Sequence, residues 1–237
     1  MPDTFASRLL HLLTTFPPPP ALPDGVQALN PYHEPAVAAL LTQFGQQFYA
    51  DSRPRVALLG INPGRFGAGR TGVAFTDPAA LADHCGIPND QPRRPELSSQ
   101  FVYRMINELG GPAEFYRHFY LGSLYPLVLL RDGKNYNYYD SPTLQRALEP
   151  DIRASLQRQV AELGLARHAA VCLGRRNGLL LQKLNQELGL FQEIILLDHP
   201  RYLMQYKRRE LTDYVARYAE ALLQLKIRLH AFKSGPF

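Results

Sequence analysis

Residues 55–61, RVALLGI, form a continuous apolar run bounded by Pro54 and Pro63. The run is too short for a helix. An unalternating run of this length is buried on both faces, as in an interior strand of a parallel sheet. AAVCLG at 169–174 and FQEIILLD at 191–198 have the same character. The aromatic and branched stretch 115–130 holds one further strand, over 118–124. Helical patterns separate the strands: 98–109, with a serine cap before it and Gly110-Gly111 after it, then 143–163, 177–190 and 207–228. Upstream lie helices over 4–16 and 35–49, with the stiff four-proline stretch 17–20 after the first. Residues 62–99, rich in Gly, Pro and Arg, predict a long loop, and 131–142 (RDGKNYNYYDSP) a polar loop with three tyrosines. The alternation predicts an α/β fold, with helices on both faces of a four-stranded, mostly parallel central sheet. There is no internal repeat and no linker after residue 30. The expectation is therefore a single domain over 1–237, with 1–30 as a helical and proline-rich lead-in.

Composition narrows the class. The chain has 237 residues, 46% apolar and 20% charged, which fits a globular protein and excludes a disordered one. No apolar run approaches the roughly 18 residues that span a bilayer. The N-terminus has no basic segment or small-residue cleavage site, so no signal peptide is read there. Two cysteines, Cys85 and Cys172, cannot supply an all-cysteine zinc site or an iron–sulfur cluster. We expect a cytoplasmic protein without metal or cofactor, a monomer, and no membrane partner. The net charge of +5 permits a nucleic-acid partner without establishing one.

Ligands of open parallel sheets bind outside the carboxyl ends of the strands. Those ends carry Asn62-Pro63-Gly64, Ser123, Gly174-Arg175-Arg176 and Asp198-His199-Pro200-Arg201. Polar residues and basic clusters thus converge on one rim.

The loop after the first strand admits two readings. GRFGAGRT, 64–71, nearly matches a phosphate-binding G-x-x-x-x-G-K-[ST] loop, and IILLD at 194–198 resembles the strand whose Asp holds magnesium. A nucleoside triphosphatase using Gly64–Thr71 is the competitor. Against it, Arg70 replaces the lysine, GVAFTDP shows no helical pattern where a helix must begin, and the strand ends too early, at Asn62-Pro63. The other reading is a resemblance. Gly60-x-Asn62-Pro63-Gly64-x-Phe66-Gly67, then Thr71-Gly72-Val73, then Phe75, resembles the first motif of the uracil-DNA glycosylase superfamily. It is most similar to that of the single-strand-selective monofunctional family, in a divergent bacterial branch. SLYPL at 123–127, CLG at 172–174 and His199-Pro200 add support.

The resemblance implies a three-layer α/β/α sandwich and hydrolysis of the N-glycosidic bond of uracil, and of 5-hydroxymethyluracil, extruded from DNA. It makes Asn62 the residue that positions the attacking water. His199 becomes the donor that stabilises the departing uracil. Phe75 would stack on the base. Gly60, Ile61, Pro63, Gly64, Phe66 and Ser123 would line the pocket. Gly64 stands where other branches block the 5-position, so it leaves room for a small polar 5-substituent. Ser123 replaces an asparagine that reads the uracil edge, with Asn135 or Asn137 as substitutes. Arg65, Arg70, Arg175, Arg201, Lys207 and Arg208 would meet DNA. Tyr202, Leu203 or Met204, in a predicted loop, would fill the gap left by the flipped base. A DNA-binding protein on this fold without catalysis is the remaining alternative.

Overall fold

In the computed structural model, every residue of the strand β2 (Val56–Gly60) is buried. The structure describes residues 3–19 and 21–233, with side chains to residue 229. Before β2 come α1 (Phe5–Thr14), β1 (Val26–Leu29) and α2 (Pro35–Phe48). After it follow α3 (Ala68–Thr71), α4 (Pro78–Cys85), α5 (Leu97–Glu108), α6 (Pro112–His118), β3 (Phe119–Ser123), β4 (Val128–Arg131) and β5 (Lys134–Asn135). The chain continues through α7 (Pro142–Leu163), β6 (Ala170–Leu173), α8 (Arg175–Leu188), β7 (Ile194–Leu197), α9 (Pro200–Tyr206) and α10 (Leu211–Lys233).

The central sheet is parallel, with order β3-β2-β6-β7. Leu58 pairs with Leu121 on one side and Val171 on the other. Helices α1, α2 and α7 pack together in one layer, and α5, α9 and α10 in another. This is the expected α/β/α sandwich. The chain goes one way from β2 to β3 and the other way from β6 to β7. The direction therefore reverses between β2 and β6, and a crevice opens at their carboxyl ends.

Several local expectations are corrected. The segment 62–99 is not a continuous loop. It holds the single turn α3, closed by Gly72 at φ 74°, and the helix α4. Asp77 caps α4 by accepting the Ala80 N–H at 3.0 Å, and Pro78 fits its first turn. No serine caps α5. Its cap position is Glu96, whose N–H is taken by Asp77 Oδ2 at 2.9 Å, while Ser99 is buried. The stretch 115–130 begins in α6 and holds two strands, because Val128–Arg131 leaves the parallel sheet to pair antiparallel with β1. The polar loop 131–142 contains a hairpin. Asp132 and Gly133, at φ 50° and 67°, form a two-residue turn of the kind that suits strand twist. Tyr202, Leu203 and Met204 lie in α9, not in a loop. His199 caps that helix and Pro200 starts it, which buries Leu203 and Met204 and leaves Tyr202 exposed. The last helix begins at Leu211, after a 3₁₀ turn over Arg208–Glu210. Residues 17–19 adopt neither helix nor strand, and Pro20 of the proline stretch lies outside the described residues.

β2 is anchored at its start by the fully buried Arg55. The guanidinium donates to the carbonyls of Tyr116 (2.7 Å), Arg53 (3.0 Å) and Phe48 (3.4 Å), and pairs with Asp51 at 3.0 Å. It also lies 4.7 Å from the ring centres of Phe5 and Tyr49. Three separate nitrogens of the planar fork meet these carbonyls, and an ammonium, with its donors on one atom, cannot span them. Arg55→Ala strands those carbonyls and should cost about 3 kcal/mol or more, with Arg55→Lys recovering only part. Urea unfolding reads this directly. A loss below about 1 kcal/mol for Arg55→Ala contradicts the anchoring role.

Candidate active site

A cleft of about 560 Å³ opens at the carboxyl ends of the sheet. Its walls come from the loop after β2, the start of α5, the β5 hairpin and α9. Of the residues singled out from sequence, Ile61, Asn62, Pro63, Gly64, Phe66, Phe75, Ser123, His199, Arg201 and Tyr202 line it. Gly60 lies beneath it, and Arg65, Arg70, Arg175, Lys207 and Arg208 stand outside its lining.

Asn62 follows β2, and both ends of its amide are committed. Nδ2 donates to the Tyr136 carbonyl at 3.1 Å, and Oδ1 accepts the Tyr138 N–H at 3.3 Å. This fixes which end is oxygen and holds the group still. Each end keeps one further hydrogen-bonding position, a proton on Nδ2 and a lone pair on Oδ1. The β5 hairpin that supplies these partners is itself tied back, because Asn135 Oδ1 accepts the Arg65 N–H at 3.0 Å and the Arg65 guanidinium donates to the Gly133 carbonyl.

Phe75 reaches the cleft by a strained route. It has φ 56°, a left-handed conformation uncommon outside glycine. The buried Thr71 holds the turn: its hydroxyl donates to the Thr76 carbonyl at 2.6 Å and accepts the Val73 N–H at 3.1 Å. The ring then lies on the backbone of Gly60, where an added Cβ would stand 2.5 Å from Phe75 Cζ. No side chain larger than hydrogen fits there.

His199 follows β7, and its ring centre lies 5.9 Å from that of Phe75. Nδ1 accepts the Arg201 N–H at 3.2 Å, so a neutral ring carries its proton on Nε2. Burial, and then the charge of Arg201, lower its pKa to about 4. At neutral pH the ring is therefore an uncharged donor. Gly174, beside the ring, has φ 107°, a backbone conformation that favours glycine. Asn177 fills the crevice below, donating to the Leu59 carbonyl at 3.3 Å and accepting from the Tyr138 hydroxyl at 2.5 Å.

The basic rim is partly spoken for. Arg175 pairs with Asp198 at 2.9 Å, and Lys207 with Glu210 at 3.0 Å. Arg208 donates to the Met204 carbonyl at 2.9 Å. Arg65 and Arg94 both stack on Phe66, at 4.3 and 4.4 Å from its centre. Arg70 is exposed on α3. Tyr202 and Tyr206 make a ring pair at 5.3 Å on the rim, both exposed. Tyr206, Glu96, Tyr136 and Tyr139 are cleft residues that the sequence reading did not place there. An Asp-Gly pair between apolar and polar runs was the available signal for the hairpin that brings the two tyrosines. Among the described residues, no group of three His, Cys, Asp or Glu could hold a metal ion.

The pKa of His199 has a consequence for stability. Below about pH 6.5 the unfolded chain gains a proton at this histidine that the folded chain refuses until about pH 4. That contribution to stability is therefore lost as pH falls through this window. His199→Gln should flatten this part of the pH dependence, read by urea titrations at pH 7, 5.5 and 4.5. Equal slopes in the two proteins contradict a half-buried neutral imidazole.

Residues 46–223 match the family model of the uracil DNA glycosylase superfamily. The single-strand selective monofunctional uracil DNA glycosylase of Bos taurus is 33% identical over 136 residues, 49% of this chain and 50% of that protein. The Rattus norvegicus protein of the same description is likewise 33% identical, over 49% of each chain. The match thus spans about half the length of these curated relatives. The crystal structure of wild-type Pedobacter heparinus SMUG2 superposes with a TM-score of 0.90 at 37% identity, covering 94% of this chain and 98% of that one. By a match over most of its length and by its sandwich fold, the chain belongs to the uracil DNA glycosylase superfamily.

Proposed function

We propose that this chain is a monofunctional glycosylase that hydrolyses the N-glycosidic bond of uracil flipped out of DNA. The observation that carries the reading is His199, a neutral imidazole whose free Nε2–H faces a cleft shared with Phe75 and the clamped Asn62 amide. The curated relatives are named as uracil glycosylases, and the same activity suits this site.

The bond from C1′ to N1 stretches, the sugar gains positive charge, and uracil leaves with the electron pair. The His199 Nε2–H donates to the oxygen where negative charge gathers. A preorganised donor in a site shielded from water is worth more there than in solution. A neutral ring suits this task, because it keeps its proton while stabilising the anion. Water adds at C1′, oriented by the free amide positions of Asn62, and the products are free uracil and an abasic site. An amide is a poor base, so leaving-group stabilisation carries most of the acceleration. Phe75 supplies a face on which the base stacks. Ser123, whose carbonyl is held by Gln159 Nε2 at 3.0 Å, offers its hydroxyl to the base edge. One hydroxyl replaces the two hydrogen bonds of an amide, so Ser123→Ala should cost only about 0.5–1.5 kcal/mol in specificity. The absence of a side chain at Gly64 favours acceptance of 5-hydroxymethyluracil beside uracil. The exposed Arg201 and the Tyr202–Tyr206 pair suit contact with the DNA strand around the flipped nucleotide.

The geometry gives a triphosphatase little support. Residues 64–71 end in a single helical turn, and the Thr71 hydroxyl is bonded within its own loop instead of being offered to a magnesium ion.

Asn62→Ala and His199→Ala should each slow single-turnover uracil release by about 10²–10³-fold, with DNA affinity changed only a few-fold. Wild-type turnover in both variants sinks the assignment. Arg201→Ala should lower the salt dependence of DNA binding by about one unit of slope. Arg175→Ala should change it less, because Asp198 already holds that charge. Unchanged slopes for Arg201→Ala place the DNA elsewhere.

A further inference from the structure

Glu96 lines the cleft at the start of α5, and the steps above give it no task. Its backbone is fastened by the buried Asp77, which accepts the Glu96 N–H at 2.9 Å. The carboxylate is folded over two glycines of the loop after β2. A methyl group built on Gly64 would stand 3.1 Å from Glu96 Oε1, and one built on Gly67 would overlap Oε2. The Gly67 N–H is near enough to favour the charged carboxylate slightly. Among the described residues, no cation lies close enough to form an ion pair with it. Its pKa is raised, first by burial and then by the charge of Asp77, with the more distant Arg201 and the Gly67 N–H offsetting part. Asn135 Nδ2, whose partner oxygen is held by Arg65, stands 3.5 Å from the same hypothetical methyl on Gly64.

A half-buried carboxylate without a counter-cation is costly. Oε2 is the oxygen packed against Gly67. The other, Oε1, lies over Gly64, beside Asn135 Nδ2.

We infer that Glu96 is the specificity-determining residue for the 5-position of the flipped base, with Oε1 accepting a hydrogen bond from a hydroxyl carried one carbon away from C5. The inference rests on the glycosylase reading, in which the C5 edge of the base lies over Gly64. A 5-hydroxymethyl group meets an acceptor that binding would otherwise strip of water. A 5-methyl or 5-ethyl group meets the same carboxylate, removes its water and returns no hydrogen bond. A 5-carboxylate meets a like charge. The arrangement therefore admits the hydroxymethyl base while excluding thymine, the normal base that differs from uracil by one methyl group. Space at Gly64 alone cannot separate these, because hydroxymethyl is larger than methyl.

The test uses single-stranded oligonucleotides carrying one uracil, one 5-hydroxymethyluracil or one 5-ethyluracil. The last two have the same number of heavy atoms and differ in the donor. Single-turnover rates are taken for wild type, Glu96→Gln and Glu96→Leu, and compared as the ratio of 5-hydroxymethyluracil to 5-ethyluracil cleavage within each protein. Loss of folded enzyme cancels in that ratio. Wild type should favour the hydroxymethyl base by about tenfold or more, the scale of one hydrogen bond to a charged group. Glu96→Gln should narrow the ratio and Glu96→Leu should bring it to one or below. If Glu96→Leu does not fold, the wild-type ratio and the isosteric Glu96→Gln decide. A wild type that releases uracil but treats the two 5-substituted bases alike overturns the inference and leaves the glycosylase reading standing. A variant that keeps the wild-type ratio does the same. A wild type that releases no uracil overturns both.

Discussion

The site depends on a close approach between a ring and a backbone. Phe75 lies on Gly60, the last residue of β2, at a distance that no Cβ could share. Everything at the mouth of the cleft follows from that contact. The ring can reach Gly60 only because the chain turns back through a left-handed residue, and that conformation costs of order 1–3 kcal/mol. The Thr71 hydroxyl, bonded to Val73 N–H and the Thr76 carbonyl, and Gly72, itself left-handed, hold the turn. The partly buried ring offsets the strain, and the result is an aromatic face fixed in front of the strand end and 5.9 Å from the imidazole centre. Asn62, two residues past Gly60, is clamped by the hairpin on the other side.

The electrostatics of the cleft divide by depth. The rim is cationic, and much of it is already paired or hydrogen-bonded, so an incoming phosphate must compete with Asp198 at Arg175 and with Glu210 at Lys207. Inside, charge is scarce. Burial keeps His199 neutral, and the nearby Arg201 reinforces this, since a second cation there is disfavoured. Glu96 is the exception. It is a carboxyl group held beside the loop glycines, its pKa raised by burial, with no ion-pair partner among the described residues. A neutral donor suits a reaction in which the leaving group becomes negative, and an isolated acceptor suits selection of a donor.

The layered fold was legible because its strands are unalternating apolar runs. β2, β6 and β7 all fall inside the stretches read from sequence. The antiparallel sheet was not legible. β1 is a four-residue strand after the prolines, and it pairs with a segment about a hundred residues later. Nothing local in VQAL announces such a partner. The short helices α3 and α4 were hidden among glycines and prolines, although Asp77-Pro78 and Gly86 mark the ends of α4. At the site, Asn62, Phe75 and His199 were found from a motif, and the structure brings them to one cleft. Glu96 could not be found that way. Its place depends on Asp77 fastening its backbone from nineteen residues away. Leu203 and Met204, read as candidates to fill the gap in DNA, are core residues because His199 and Pro200 start a helix there.

The central claim is that the chain releases uracil and leaves the DNA strand unbroken. The most direct measurement incubates the wild-type protein with an oligonucleotide containing one uracil, without metal or nucleotide. Free uracil is then quantified, together with strand scission before and after alkali. The account predicts stoichiometric free uracil, an intact strand before alkali and a break at the uracil position after it. Tight binding with no free uracil, or scission without alkali, would contradict it.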